Sequence, residues 1–485
     1  MNFKMIRNIL GWILLFEAGF MLVPATTAVV YGEWRELTHF GVAMLLCLAV
    51  GALGIWKKPE NTTLYAREGF VTVALSWMVM SFFGCIPFFT TGWIPNFVDA
   101  LFEMTSGFTT TGSTILTSVE ELPKCINMWR CFSHWIGGMG VLVFIMAFVS
   151  LSGGQNMHIM KAESPGPSVG KLVPRVRTTA MILYGIYLAM TFIMLIFLLA
   201  GDMNPFEALC TAFGTAGTGG FGVRNDSLAS FSPYTQIVVT VFMLLFSINF
   251  SCYYLILIRR FKDVFNVEMR WFWGIVVVAV ALLTWNVYTT LDTFTSVGET
   301  VRHTAFTVAA LISTTGFATV DYVNWPTLSH AIIVALTFIG ACAGSTGGGF
   351  KISRFYILVK GAINELGNLA HPHRVKKVRM DGSLVDTDVV RTANIYLVWY
   401  VIVLVSTAFL LSFDPAITEN ALLTNFTASL TTLNNVGPGL GMVGPASNFS
   451  CYGVFSKLVL IVNMLIGRLE LFPMLILCSP STWKK

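Results

Sequence analysis

The chain has 485 residues, 55% of them hydrophobic and 11% charged, with a mean hydropathy of +0.72. An ordinary soluble domain carries about 25% charged residues, so this much apolar surface excludes a water-soluble protein, and 13% aromatic residues exclude a disordered chain. A polytopic membrane protein remains, and basic residues facing an anionic leaflet account for its net charge of +5 without a nucleic-acid partner.

A spanning helix needs roughly 20 mostly apolar residues. In chain order the candidates are 9–31, 38–56, 68–90, 127–152, 178–200, 234–258, 271–291, 327–358, 393–413 and 454–478, ten in all. The first is too long for a cleaved signal, lacks a clear small-residue cleavage site and runs straight into another span. With the N-terminus inside, 23 Lys and Arg lie in inner connections and six in outer ones, leaving Arg468 inside the last span. Lysine and arginine favour the cytoplasmic side, so both termini are expected in the cytoplasm of a multi-pass protein of the cell membrane. Nine cysteines show no CxxC spacing, which gives neither a metal site nor a disulfide framework. Cys125 and Cys131 are expected to be free thiols; a pair in an oxidising space is the alternative.

Four outer connections share one composition. Each opens with a short apolar stretch and runs into a Gly/Thr-rich or Asn-rich stretch. These are Ala100 to Gly112, Ala208 to Gly219, Ala305 to Gly316 and Asn425 to Gly437, with successive glycines 107, 97 and 121 residues apart. A repeat of about 100 residues with constant internal order reads as one unit used four times. The unit is span, half-helix, glycine loop, span; segments 9–31 and 38–56 lie outside it. The expected divisions are 1–60 for the two leading helices, then units 61–152, 153–262, 263–360 and 361–485. The fold class is an all-α polytopic membrane protein with four pseudo-symmetric units around one pore.

Non-helical backbone at membrane depth is tolerated only where protein buries it or it lines a water-filled cavity. A half-helix of about ten residues reaches only ~15 Å and stops midway. Four loops around an axis place extended backbones face to face, and their carbonyl oxygens can replace the hydration shell of a cation. Glycine permits φ > 0, which turns successive carbonyls the same way. Helix C-termini add partial negative charge.

The segments Thr109-Thr-Thr-Gly112-Ser-Thr, Gly217-Thr-Gly219-Gly-Phe, Ser313-Thr-Thr-Gly316-Phe-Ala and Asn434-Asn-Val-Gly437-Pro-Gly resemble the four selectivity-filter segments of the Trk/Ktr/HKT superfamily of potassium transporters. His134-Trp-Ile-Gly-Gly-Met-Gly140, Gly467-Arg-Leu-Glu470 and the two leading helices are similar to its Trk branch. The resemblance implies four M1–pore helix–M2 repeats in a monomer that forms a homodimer. It implies a potassium-binding filter at Thr110, Thr111, Gly112, Ser113, Gly217, Thr218, Gly219, Gly220, Thr314, Thr315, Gly316, Phe317, Asn435, Val436, Gly437 and Pro438. In that superfamily a filter glycine in all four repeats goes with potassium, and serine in the first with sodium; Gly112 therefore favours potassium.

The 32-residue segment 327–358 is too long for one straight span, and its middle reads Gly344, Ser345, Thr346, Gly347, Gly348, Gly349. Each glycine costs a helix roughly 1 kcal/mol relative to alanine, so a break is expected. A loop below the filter acting as a gate is one reading, which the resemblance supports; a small-residue packing patch is the other. Arg468, costly in a bilayer, is expected either to face the pore and touch this loop or to snorkel to the inner surface. Glu103 and Glu207 on the half-helices either concentrate cations at the mouth or satisfy nearby backbone. His134 reads as structural, and His371-Pro-His373 does not read as a metal site.

Inner connections 153–177 and 361–391 are basic and too short for a nucleotide-binding domain, and no phosphate-binding G-x-x-x-x-G-K-[ST] occurs. No cofactor is expected in this chain; control by ATP, ADP or NAD must come from another one. The resemblance implies a cytosolic TrkA-type ring docking there, while plain positive-inside charge explains the composition without it. Two other classes remain. An alternating-access carrier also uses broken helices, but in paired repeats. A membrane enzyme needs a catalytic pair at membrane depth, which the apolar spans do not offer.

Overall fold

Six helices long and apolar enough to cross a bilayer occur among the described residues of the computed structural model, which are 1–57, 59–61, 64–140, 176–291, 294–371 and 376–484. They are Phe3–Tyr31, Trp34–Ile55, Ala66–Thr90, Thr178–Leu199, Val267–Thr290 and Thr387–Leu411. At 1.5 Å per residue each covers a hydrocarbon core of about 30 Å. Large apolar side chains such as Leu53, Val277, Trp285 and Phe409 stand exposed on them, which makes a lipid-facing surface. The leading pair packs through glycine: a Cβ on Gly11 would lie 2.8 Å from the Gly51 carbonyl oxygen. Such close approach is how helices associate in lipid.

Three of the other four expected spans are broken. The segment 327–358 divides as its glycines predict, into Thr327–Ile339 and Ile352–Ala370. Two expectations of unbroken spans are overturned. Pro233–Phe246 and Phe250–Leu257 meet at 89°, because Ser247 and Asn249 offer the backbone other partners. The Asn249 carboxamide oxygen accepts from the Ser251 amide at 2.9 Å and starts the second piece. Val454–Arg468 is separated from Phe472–Cys478 by Glu470 (φ 53°) and Leu471 (φ 65°). The helix expected from 127 runs Lys124–Gly138, and the rest of that expectation, like nearly all of connection 153–177, lies outside the described residues.

Between the long and the broken helices lie four half-helices, Phe97–Phe108, Pro205–Ala216, Val297–Ile312 and Ala421–Leu433. Each starts upstream of its expected position, the third by eight residues (Val297 against Ala305). Asn96, Asn204 and Ser296 cap the first three, each side chain accepting from the first-turn backbone. Among the described residues one hairpin, Arg379–Met380 with Ser383–Leu384, interrupts the helices. Its turn is Asp381-Gly382, both at positive φ, a tight-turn pair readable in the sequence.

Candidate functional site

All four half-helices end in the same way. The amides of Thr111, Gly219, Thr315 and Val436 bond back to the carbonyls of Ser106, Gly214, Ala310 and Thr431 at 2.8–2.9 Å. One residue earlier, Thr110, Thr218, Thr314 and Asn435 bond back three residues at 3.0–3.4 Å. This pair of bonds is the Schellman closure, whose left-handed residue is usually glycine. Here it is threonine three times and asparagine once, at φ 55°, 52°, 60° and 53°. A β-branched residue there costs of order 1–3 kcal/mol and persists only where the surroundings over-determine it. Sequence reasoning assigned the left-handed positions to glycine alone and missed these four.

Two residues further on, Gly112, Gly220, Gly316 and Gly437 are left-handed as well, at φ 78°, 84°, 78° and 98°. The second segment is therefore in register through Gly220, not Gly219, a correction of one residue. Gly219-Gly220 left two equivalent readings in the sequence; the closure at Thr218 selects between them. Gly217 is the helix cap, where a Cβ would sit 2.1 Å from the His134 carbonyl oxygen, and the Phe317 ring is turned onto Gly214.

The four segments close a ring. A Cβ on Gly112 would come within 2.0 Å of the Gly219 carbonyl oxygen, on Gly220 within 2.0 Å of that of Thr315, on Gly316 within 2.0 Å of that of Val436, and on Gly437 within 2.7 Å of that of Thr111. Each glycine thus faces a main-chain oxygen of the next segment, and the fourth returns to the first. Ser113 Oγ also donates to the Gly437 carbonyl at 3.3 Å. Pro438 lines the cavity on one side of the ring together with Gly112, Gly220, Gly316 and Gly437.

Charged side chains brace the ring. Glu103 and Arg130 are both fully buried and pair at 2.8 Å. Glu103 also accepts from the Ile115 amide and Thr114 Oγ1 at 3.0 Å, while Arg130 lies 4.3 Å over the Phe221 ring. Glu207 pairs with Arg224 at 2.9 Å. Of the two readings of these carboxylates, the bracing one holds for Glu103, which has no solvent to act through. His134 has both nitrogens engaged: Nδ1 with the Gly107 carbonyl at 2.7 Å, and Nε2 with the Phe221 amide at 3.2 Å. It ties the first half-helix to the second segment. Removing one partner of a buried pair costs about 3–5 kcal/mol. Arg130→Met is therefore expected to lower the thermal unfolding temperature in detergent clearly, and Glu103→Gln with Arg130→Gln to lower it less. An unchanged Arg130→Met midpoint contradicts the bracing role.

On the other side of the ring lies the break in Thr327–Ala370. Gly340 (φ 70°) ends the first piece and Lys351 (φ 77°) precedes the second. The intervening loop is held from several elements. Cys342 N–H donates to the Ser247 carbonyl at 3.1 Å, and Phe250 N–H to that of Gly344 at 2.9 Å, so this break docks onto the bend of the preceding unit. Ala343 N–H donates to Glu268 Oε1 at 2.7 Å, and Gly348 N–H to Thr314 Oγ1 at 2.6 Å. Ser345 Oγ bonds within the loop, and Thr346 Oγ1 donates to the Phe246 carbonyl. A Cβ on Gly347 would meet the Ser313 carbonyl oxygen at 2.8 Å, and one on Gly348 that of Asn434 at 2.3 Å; Gly349 is left-handed (φ 83°) against Gly340. The loop lies against the ends of the third and fourth half-helices.

Arg468 does not snorkel. It donates to the Thr346 carbonyl at 3.1 Å, Thr110 Oγ1 at 3.3 Å and the Gly138 carbonyl at 3.0 Å, and also to that of Gly137. One guanidinium thereby joins the first segment, the loop and the helix Lys124–Gly138. Lys351 and Arg354, two of the 23 basic residues counted in the inner connections, are buried here instead, Arg354 pairing with Glu470 and lying 4.2 Å over Tyr396. Their spacing after the glycines could have signalled this. All nine cysteines, Cys125 and Cys131 among them, are free thiols.

The chain matches, over residues 37–485, the family described as "TrkH: Cation transport protein". It is 33% identical over 500 residues to the Trk system potassium uptake protein TrkH of Escherichia coli (strain K12), with 100% of each chain covered. It is 29% identical over 495 residues to the Trk system potassium uptake protein TrkG of the same strain, with 99% of each covered. It is also similar to the crystal structure of the potassium transporter TrkH from Vibrio parahaemolyticus, at 31% identity and TM-score 0.87, both chains covered in full.

Proposed function

Because the chain belongs to the TrkH family of cation transport proteins, we propose that this multi-pass membrane protein is the potassium-conducting subunit of an uptake system. The observation that carries the reading is the ring in which Thr111, Gly219, Thr315 and Val436 set carbonyl oxygens against the glycines of neighbouring segments. Main-chain oxygens in such a ring replace the water around a monovalent cation, and four converging helix C-termini favour positive charge. The relatives named for potassium uptake supply the ion. In this reading the sixteen residues from Thr110 to Pro438 named above form the filter, and Gly344, Ser345, Thr346, Gly347, Gly348 and Gly349 with Arg468 form the gate beneath it.

Both termini then face the cytoplasm, the units 61–152, 153–262, 263–360 and 361–485 each supply one filter segment, and a second copy pairs in the membrane. A cytosolic TrkA-type ring docks on the basic connections and brings the nucleotide. An alternating-access carrier needs a site between two moving halves, which a closed four-part ring does not suit. The test is expression in cells lacking potassium uptake. Growth at low potassium with saturable rubidium uptake is the expected result; no gain in growth or rubidium entry from correctly inserted protein rejects the proposal.

A further inference from the structure

Lys351 is the feature that neither the ring nor the loop accounts for. Its side chain is buried, its backbone is left-handed, and its ammonium donates to the Gly347 carbonyl of the loop. It lines the cavity beneath the ring with Gly138, Gly140, Gly347, Arg468 and Glu470. Of the charged groups that act on it, Arg468 and Glu470 line the same cavity, and Arg354 and Glu268 act from outside that lining. Three are supplied by the segments packed on the loop and the fourth, Arg354, by its own helix. Glu470 is already engaged by Arg354, and Glu268 by the Ala343 amide. Two cations, Lys351 and Arg468, against one carboxylate, Glu470, leave the cavity lining with an excess positive charge.

That excess is out of place on a cation pathway unless one of the positive groups stands where the cation itself must pass. An ammonium is a compact point charge on a flexible stem, and its partner here is a main-chain carbonyl, the ligand type that a bare potassium ion accepts. Gly347 in turn lies against the Ser313 carbonyl at the end of the third half-helix, where the helix dipole favours positive charge.

We propose that Lys351 is a tethered cation: its ammonium occupies the exit position below the ring, and the loop opens only when that ammonium withdraws. The proposal rests on the pore reading above and deepens it by naming the residue that holds the exit shut. Arg468 pins the loop to the first segment; Lys351 fills the space an ion needs.

The test compares Lys351→Gln with Lys351→Met in the purified chain reconstituted into liposomes without any partner, reading rubidium-86 flux and the rubidium-to-sodium flux ratio. Glutamine keeps a donor for the Gly347 carbonyl and removes the charge; methionine removes both. A tethered cation predicts that both raise flux, on the order of tenfold, the factor that about 1.4 kcal/mol off a barrier gives, with the flux ratio unchanged. A lysine that merely ties the loop predicts a rise for methionine and none for glutamine, and that result overturns the proposal. Glu268→Gln weakens the hold on the ammonium, keeps the Ala343 bond and is expected to raise flux as well; no rise in any of the three folded variants also overturns it. A shifted ion preference in Gly112→Ser beside normal flux in Lys351→Gln leaves the pore standing and rejects only the tethered cation.

Discussion

Gly112→Ser is expected to abolish most of the preference for potassium over sodium while the protein still assembles. Gly112 sits at φ 78°, and any Cβ there points at the Gly219 carbonyl oxygen from 2.0 Å. A left-handed L-residue costs about 1–2 kcal/mol, which the fold can absorb. The collision cannot be absorbed locally, because the atom met is backbone. The Gly219 oxygen has to leave its place, and it belongs to the layer proposed to replace potassium's hydration shell. A shift of about 1.4 kcal/mol between the two ions is tenfold in selectivity, and a displaced ligand oxygen is expected to produce at least that. The measurement is the rubidium-to-sodium flux ratio in proteoliposomes. An unchanged ratio in well-folded protein contradicts a filter at this ring.

Gly348→Val is expected to do the reverse, raising flux on the order of tenfold and leaving ion preference alone. The Gly348 position lies 2.3 Å, measured from a Cβ, from the Asn434 carbonyl oxygen, and its amide holds Thr314 Oγ1. A β-branched side chain pushes the loop off the ends of the third and fourth half-helices. The ring segments keep their own Schellman closures, which do not depend on the loop. Unchanged flux rejects the gate; a changed flux ratio places Gly348 in the filter instead.

The two outcomes separate because the fold separates the parts. The ring is held from one side by Glu103, Arg130 and His134 and closed upon itself. The loop reaches it through Gly347 and Gly348 and through Arg468. A change in one is read as selectivity, a change in the other as flux.

Much of this was legible in the sequence, for identifiable reasons. The four glycine-bearing connections stood out because their composition repeats at a spacing no ordinary set of loops has. The break at Gly344–Gly349 was visible because three consecutive glycines cannot stay helical in lipid without compensation. The bend at Ser247–Asn249 was hidden, because it lies within an apolar run without glycine or proline; the bend at Leu469–Leu471 lies between Gly467 and Pro473, signals that went unused. What holds both bends is tertiary: the first docks onto the loop through Ser247 and Gly344, and the second turns so that Glu470 meets Arg354. Arg354 and Lys351 were misplaced for a related reason. Counting basic residues by connection treats each as solvated; it cannot see that Arg354 meets Glu470 from another unit, or that Lys351 folds back onto the Gly347 carbonyl of its own loop. The strained Thr110, Thr218 and Thr314 were invisible too, since threonine is an ordinary strand residue until a Schellman closure fixes it at positive φ; Asn435, of a type that tolerates that conformation, was the one readable member.

The most direct measurement is the position of a heavy potassium substitute in the structure itself. Crystals or vitrified particles prepared in rubidium or thallium are expected to show density inside the ring, ligated by the main-chain oxygens of Thr111, Gly219, Thr315 and Val436 together. Density confined to side-chain carboxylates away from those four segments, with the ring unoccupied at saturating ion, contradicts the account.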